Sequence, residues 1–163
     1  MKRVIRFLLI AGPSALVLAS LLVHPFGSVK AVKSTSPLLE GAELDATTLA
    51  IFERSCRNCH SEKTEWPWYS YVAPMSLMVE SDVSNARSQM NLSHWDEYTA
   101  EKQHELVGRI GAVIKSREMP PSRYTLIHKR ATLSADDRSQ LYQWTLAERR
   151  RLRSVPPIIE SGQ

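Results

Sequence analysis

The sequence predicts an all-α fold. Three observations lead there: apolar residues recur at helical spacing, no stretch alternates like a strand, and two polar pairs have the spacing of helix-start signatures. Leu49, Phe52, Cys56 and Cys59 fall on one helical face. Met75, Met78, Val79, Val83, Ala86 and Met90 trace a second stripe, and Leu106, Val107, Ile110, Val113 and Ile114 a third, the most regular of the set. Ser93 with Asp96 reads as a capping box after the Asn91-Leu92 turn. Ser134 with Asp137 reads as another, opening a last helix that carries Leu141, Trp144 and Ala147. Pro120 and Pro121 stop the third helix, because a proline disfavours helical geometry in the residue before it.

The rest of the chain divides around this unit. Residues 7 to 23 are seventeen uncharged positions behind Lys2, Arg3 and Arg6. That is the shortest length that spans a hydrocarbon core, and the basic flank keeps this end cytoplasmic while the remainder is exported. Val17-Leu18-Ala19 and Val29-Lys30-Ala31 are candidate cleavage sites. Neither has a small residue at both key positions, which favours an uncleaved anchor over a signal peptide for residues 1–23. Residues 24–43 mix Pro, Gly, Ser and Lys and read as a flexible tether. Residues 154–163 contain two prolines and read as a disordered tail, leaving 44–153 as the folded domain.

Composition narrows the function classes. Of 21 basic residues, three flank the hydrophobic run; the other 18 face 17 acidic ones. A nearly balanced folded part offers no broad cationic footprint, so no nucleic-acid partner is expected. Two cysteines in 163 residues exclude a disulfide-stapled scaffold. Arg149, Arg150, Arg151 and Arg153 end the last helix and complement its dipole; Lys102 and Arg109 read as ordinary surface charge. A helical unit this small is marginal unless something large and apolar fills its centre.

Both cysteines lie in one pentapeptide, Cys56-Arg57-Asn58-Cys59-His60. On a helical turn, positions i and i+3 project to the same side, so both thiols can reach one edge of a porphyrin and form thioethers with its vinyl groups. His60 then presents an imidazole nitrogen to the iron. The alternatives fit less well. Zinc wants a second ligand pair at short spacing, and His94, His104 and His128 lie too far apart to supply one. A redox dithiol needs a strand–helix–strand setting, and a plain disulfide leaves His60 unexplained. The reading is one covalently attached haem c.

For the sixth ligand the candidate is Met119, 59 residues after His60 in Glu118-Met119-Pro120-Pro121, where the prolines hold the chain extended. His128 competes, and an open or water-bound iron is the third possibility. Met75, Met78 and Met90 read as core filler. Trp66, Trp68 and Tyr69 follow the haem motif closely. They either wall the haem and donate hydrogen bonds to its propionates or are simply core.

Together these residues resemble the haem-binding-domain family, a cytochrome-c-like group of short, N-terminally anchored bacterial proteins. The resemblance covers Cys56-x-x-Cys59-His60-Ser61, Thr64-x-Trp66-Pro67-Trp68-Tyr69 and Ala73-Pro74-x-Ser76. It continues through Asn91-Leu92-Ser93-x-Trp95, Met119-Pro120-Pro121-x-x-Tyr124 and His128, to Leu133-Ser134 and Leu141-x-x-Trp144. Two departures stand out: Leu77 where the family often has Trp, and Ala86-Arg87 where it often has Gly-Arg. The resemblance implies a small helical cytochrome-c-like domain with haem on Cys56 and Cys59, and iron on His60 with Met119 opposite. The expected role is one-electron transfer with redox partner proteins, on the periplasmic face of a bacterial cytoplasmic membrane. A peroxidase-type haem enzyme with a displaceable distal ligand and a haem-based redox or gas sensor are the rivals. No catalytic residue of the chain's own is expected.

Overall fold

The computed structural model describes residues 10–15, 18 and 28–154. Among them every regular element is helical and no strand occurs. The domain consists of α1 (Ala46–Ser55), α2 (Arg57–His60), α3 (Met75–Gln89), α4 (Ala100–Ser116), α5 (Ser122–Ile127) and α6 (Ala135–Arg153). Short 3₁₀ turns at Trp68–Tyr71, Leu92–Glu97 and Lys129–Ala131 link them, and a single helical turn at Ser28–Ala31 precedes them.

Local chemistry sets where these helices begin and end. Asp45 caps α1 by accepting from the Thr48 N–H at 2.7 Å. Thr99 caps α4. At α6 the expected capping box is present, with Ser134 Oγ accepting from Asp137 N–H at 3.0 Å and the Asp137 carboxylate accepting from Ser134 N–H at 2.7 Å. Each such cap stabilises its helix by about 1 kcal/mol. α4 ends ahead of the two prolines, at Arg117, whose φ of 62° places it in the left-handed region and sends its N–H back to the last turn. The Ser93–Asp96 expectation is corrected: Asn91 caps a 3₁₀ turn there, and Ser93 is buried with its Oγ accepting from Glu62 N–H at 3.0 Å.

α4 and α6 form the most extensive helix pair. Gly111 lets them approach closely, since a Cβ there would sit 2.9 Å from Thr145 Oγ1. Phe52, Leu106, Val107, Ile110, Ile114, Leu141 and Trp144 form the core between α1, α4 and α6, and Leu92 and Trp95 close one end. Phe52 and Trp144 meet edge to face at 5.0 Å. Each buried aliphatic side chain stabilises the fold by about 2 kcal/mol.

Three sequence expectations change. The supposed tether is structured at its end: Leu38 and Leu39 are core residues, Leu39 N–H donates to the Leu92 carbonyl at 3.0 Å, and Trp144 Nε1 donates to the Glu43 carbonyl at 2.8 Å. Two adjacent leucines on a bare connector are reason enough for burial. On α3, only Ser76 and Val83 are buried, while Leu77 and Met78 face solvent. Ala147 on α6 and Leu49 on α1 are exposed as well, so helical spacing placed them on a stripe wider than the actual contact. No helix among the described residues is long and apolar enough to cross a membrane. The uncharged run at 7–23 lies largely outside the described residues, and residues 155–163 lie entirely outside them.

Candidate functional site

The pentapeptide sits at a joint between two helices. Cys56 N–H still donates to the Phe52 carbonyl at 2.9 Å, closing α1. The Cys56 carbonyl in turn accepts from Cys59 and His60 N–H at 3.2 and 3.0 Å, opening α2. Cys56 and Cys59 therefore stand one turn apart, as their spacing predicts. Ser61 is extended and ends α2; fully buried, it donates from Oγ to the Arg57 carbonyl at 2.8 Å and accepts from Lys63 N–H at 3.1 Å. From α3, Arg87 clasps the loop, donating from Nε to the Ser61 carbonyl at 2.9 Å and from Nη2 to Thr64 Oγ1 at 3.0 Å.

His60 Nδ1 lies 3.1 Å from the Met90 carbonyl. A carbonyl can only accept, so Nδ1 carries the proton and the lone pair sits on Nε2. Burial holds the imidazole below its ordinary pKa, against the opposing effect of the Met90 hydrogen bond. A neutral ring with one nitrogen tied and the other open is the form in which histidine binds a metal.

Cys56, Cys59, His60 and Met119 line one cleft of about 280 Å³. Its other walls include Phe52 on α1, Ala86 and Met90 on α3, and Leu106, Ile110, Val113 and Ile114 on α4. Pro120, Pro121 and Tyr124 complete it. Burial pushes the Cys56 thiol up to about 12 and the Cys59 thiol up to about 11. Both are thus uncharged at neutral pH, the opposite of the depressed thiols of a redox dithiol. Among the described residues no group of three or more His, Cys, Asp or Glu side chains is placed to hold a metal ion by itself. The donor set fits haem: two thiols one turn apart, an imidazole with Nε2 open, a thioether on the same cleft, and apolar walls for a macrocycle.

The aromatic trio does not wall this cleft; Trp66, Trp68 and Tyr69 are absent from its lining. Trp68 is 78% exposed. Tyr69 shares a 2.5 Å hydrogen bond with His128 Nε2, and His128 stacks on Tyr124 at 4.3 Å. His128 therefore stays outside the lining of this cleft with a ring nitrogen engaged, whereas Met119 lines it together with His60. The aromatics that do line the cleft are Phe52 and Tyr124, and the Tyr124 hydroxyl accepts from Asn58 Nδ2 at 3.1 Å. Sequence reading missed the part played by the Met90 carbonyl, because a backbone acceptor has no residue signature. It named Arg87 and Tyr124 as positions of the resemblance but gave them no role, because their contacts with the loop after His60 and with Asn58 form only after folding. Leu77 is exposed, so that departure from the family pattern does not touch the core.

The sequence pattern of the haem-binding domain matches residues 15–147. The chain belongs to the haem-binding domain family. Among characterised proteins it is similar to cytochrome c peroxidase of Escherichia coli (strain K12), 28% identical over 101 residues. That match takes in 60% of this chain and 22% of the relative, so the chain spans about a fifth of that protein's length. No solved structure matches the chain. Family membership makes the chain a haem-binding protein.

Proposed function

We propose that the chain attaches one haem c through Cys56 and Cys59, ligates its iron with His60 and Met119, and carries single electrons between redox partner proteins. In this reading residues 7–23 anchor it to a bacterial cytoplasmic membrane with the haem domain on the periplasmic face. One observation carries the proposal: both thiols, the open imidazole nitrogen and the Met119 thioether line the same apolar cleft.

When bound, the haem supplies one-electron Fe(III)/Fe(II) chemistry; the chain supplies attachment, ligands and a low-dielectric surround. Met90 fixes the His60 tautomer and ring orientation through its carbonyl. Arg87, Ser61 and Thr64 hold the loop after His60 rigid, which keeps the ligand from moving when the charge on the iron changes. A thioether ligand from Met119 would raise the reduction potential, because a soft neutral ligand favours ferrous iron. The apolar cleft walls exclude water and strengthen both effects.

The second reading is a peroxidase-type site, favoured by the likeness to cytochrome c peroxidase and by the position of Met119, which is 38% exposed on a loop. A displaceable Met119 would open the iron to peroxide. Visible spectra of the full chain from a host with c-type maturation separate the two. The carrier gives a low-spin oxidised spectrum with a methionine–iron charge-transfer band that Met119→Ala abolishes while covalent haem remains. A high-spin wild-type spectrum with rapid peroxide turnover would establish the enzyme instead.

A further inference from the structure

The cleft mouth carries two arginines of unequal standing. Arg123 on α5 is matched, its Nη2 lying 2.8 Å from the Asp82 carboxylate on α3. Arg109 on α4 is not. Its Nη2 donates to the neutral Gln89 Oε1 at 3.2 Å, and its nearest carboxylate is Glu105, 4.0 Å away and exposed. Arg109 also belongs to the stripe that forms the cleft wall, between Leu106 and Val113, where it is the one charged residue among aliphatic neighbours. Its side chain is 51% exposed, so the guanidinium stands at the rim of the cleft, with N–H donors left over for an anion bound there.

A haem has an apolar body and two propionate carboxylates. Burying the body in the cleft forces the carboxylates to find water or a cation at its rim, and a guanidinium binds a carboxylate through two parallel N–H donors. We infer that Arg109 holds one haem propionate at the cleft mouth, with the Gln89 side chain positioning its guanidinium. This rests on the cleft's being the haem site. The other ionisable groups around the cleft are Asp82 on α3, Glu105 on α4 with its partner Lys102, Arg123 and Tyr124 on α5, Cys56 between α1 and α2, and Cys59 and His60 on α2.

The test is the midpoint potential of the matured full chain as a function of pH, read together with covalent haem per chain. The potential falls with pH between the propionate's pKa values in the oxidised and reduced states. A neighbouring cation depresses both values, so Arg109→Gln moves that window up by about 1 pH unit or more. Arg109→Lys keeps the charge and restores most of the shift. Arg123→Gln, which removes a cation already matched by Asp82, moves the window less than Arg109→Gln does. Glu105→Gln, at an exposed position harmless to folding, removes a competing anion and moves the window down, which provides a readout even if Arg109→Gln loads poorly. Haem-loaded Arg109→Gln and Glu105→Gln chains with the wild-type profile would overturn the assignment and leave the haem site standing. A wild-type chain without haem after maturation would instead overturn the reading of the site itself.

Discussion

Desolvation decides the chemistry of single residues here. The cysteines are raised and His60 is lowered by the same cause, removal from water, and all three are consequently neutral. A neutral imidazole can ligate iron without first losing a proton. Charge works differently where two side chains meet outside the cleft. The Arg54 guanidinium, 2.5 Å from Asp137, holds that carboxyl down at about 2, helped by the capping contacts with Ser134. A carboxyl depressed in the folded state stabilises it above its unfolded value near 4, and that contribution fades as pH falls from about 4 towards 2. Because the pair is partly solvated, the amount is on the order of 1–2 kcal/mol. Arg54→Ala is accordingly expected to lower the urea midpoint at pH 7 and to flatten the loss of stability between pH 4 and pH 2. An unchanged acid limb would mean that the contact does not persist in solution.

For the helical elements, spacing and caps translated into structure with uneven success. The α4 stripe is buried as read, at Leu106, Val107, Ile110 and Ile114, because that helix packs along its length on α6. The α3 stripe is not. Of its six apolar residues only Val83 is buried, Met78 is exposed, and Ala86 and Met90 face the cleft, since among the described residues only short elements pack on that helix. Close approach of α4 and α6 depends on a missing side chain. Gly111→Ala puts a methyl 2.9 Å from Thr145 Oγ1, which is itself held by donating to the Tyr142 carbonyl at 2.7 Å. Overpacking costs about 1–3 kcal/mol, more than the roughly 1 kcal/mol gained in helix propensity. The urea midpoint should fall with an unchanged m value, and Thr145→Ala should recover part of the loss. Gly108→Ala, whose nearest neighbour is the Arg149 guanidinium at 3.4 Å, serves as the tolerated control.

At the scale of the molecule, the cleft is a gap in a small core. Leu106, Ile110 and Ile114 divide their surfaces between that core and the cleft wall, so a ligand filling the cleft adds apolar burial that the protein alone does not achieve. Stability should therefore be linked to loading. Chain produced without c-type maturation, or with Cys56→Ser and Cys59→Ser together, is expected to melt at a distinctly lower temperature than matured protein by calorimetry. Equal melting temperatures would show that the cleft is not where the cofactor sits.

Short-range chemistry was legible in the chain itself. Capping pairs, proline stops and the Cys56–His60 spacing act within one helical turn, so their geometry follows from local backbone rules whatever surrounds them. The helical class and the haem motif are of this kind, and the family match agrees that the domain binds haem. Only the tertiary structure decided what converges from afar. It put Met119 on the same cleft as His60 from 59 positions away, drew His128 off to Tyr69, turned Trp68 to solvent, aimed the Met90 carbonyl at His60 and left Arg109 at the cleft rim. Each of these depends on how separate helices pack, a collective balance of many weak contacts that no local pattern encodes.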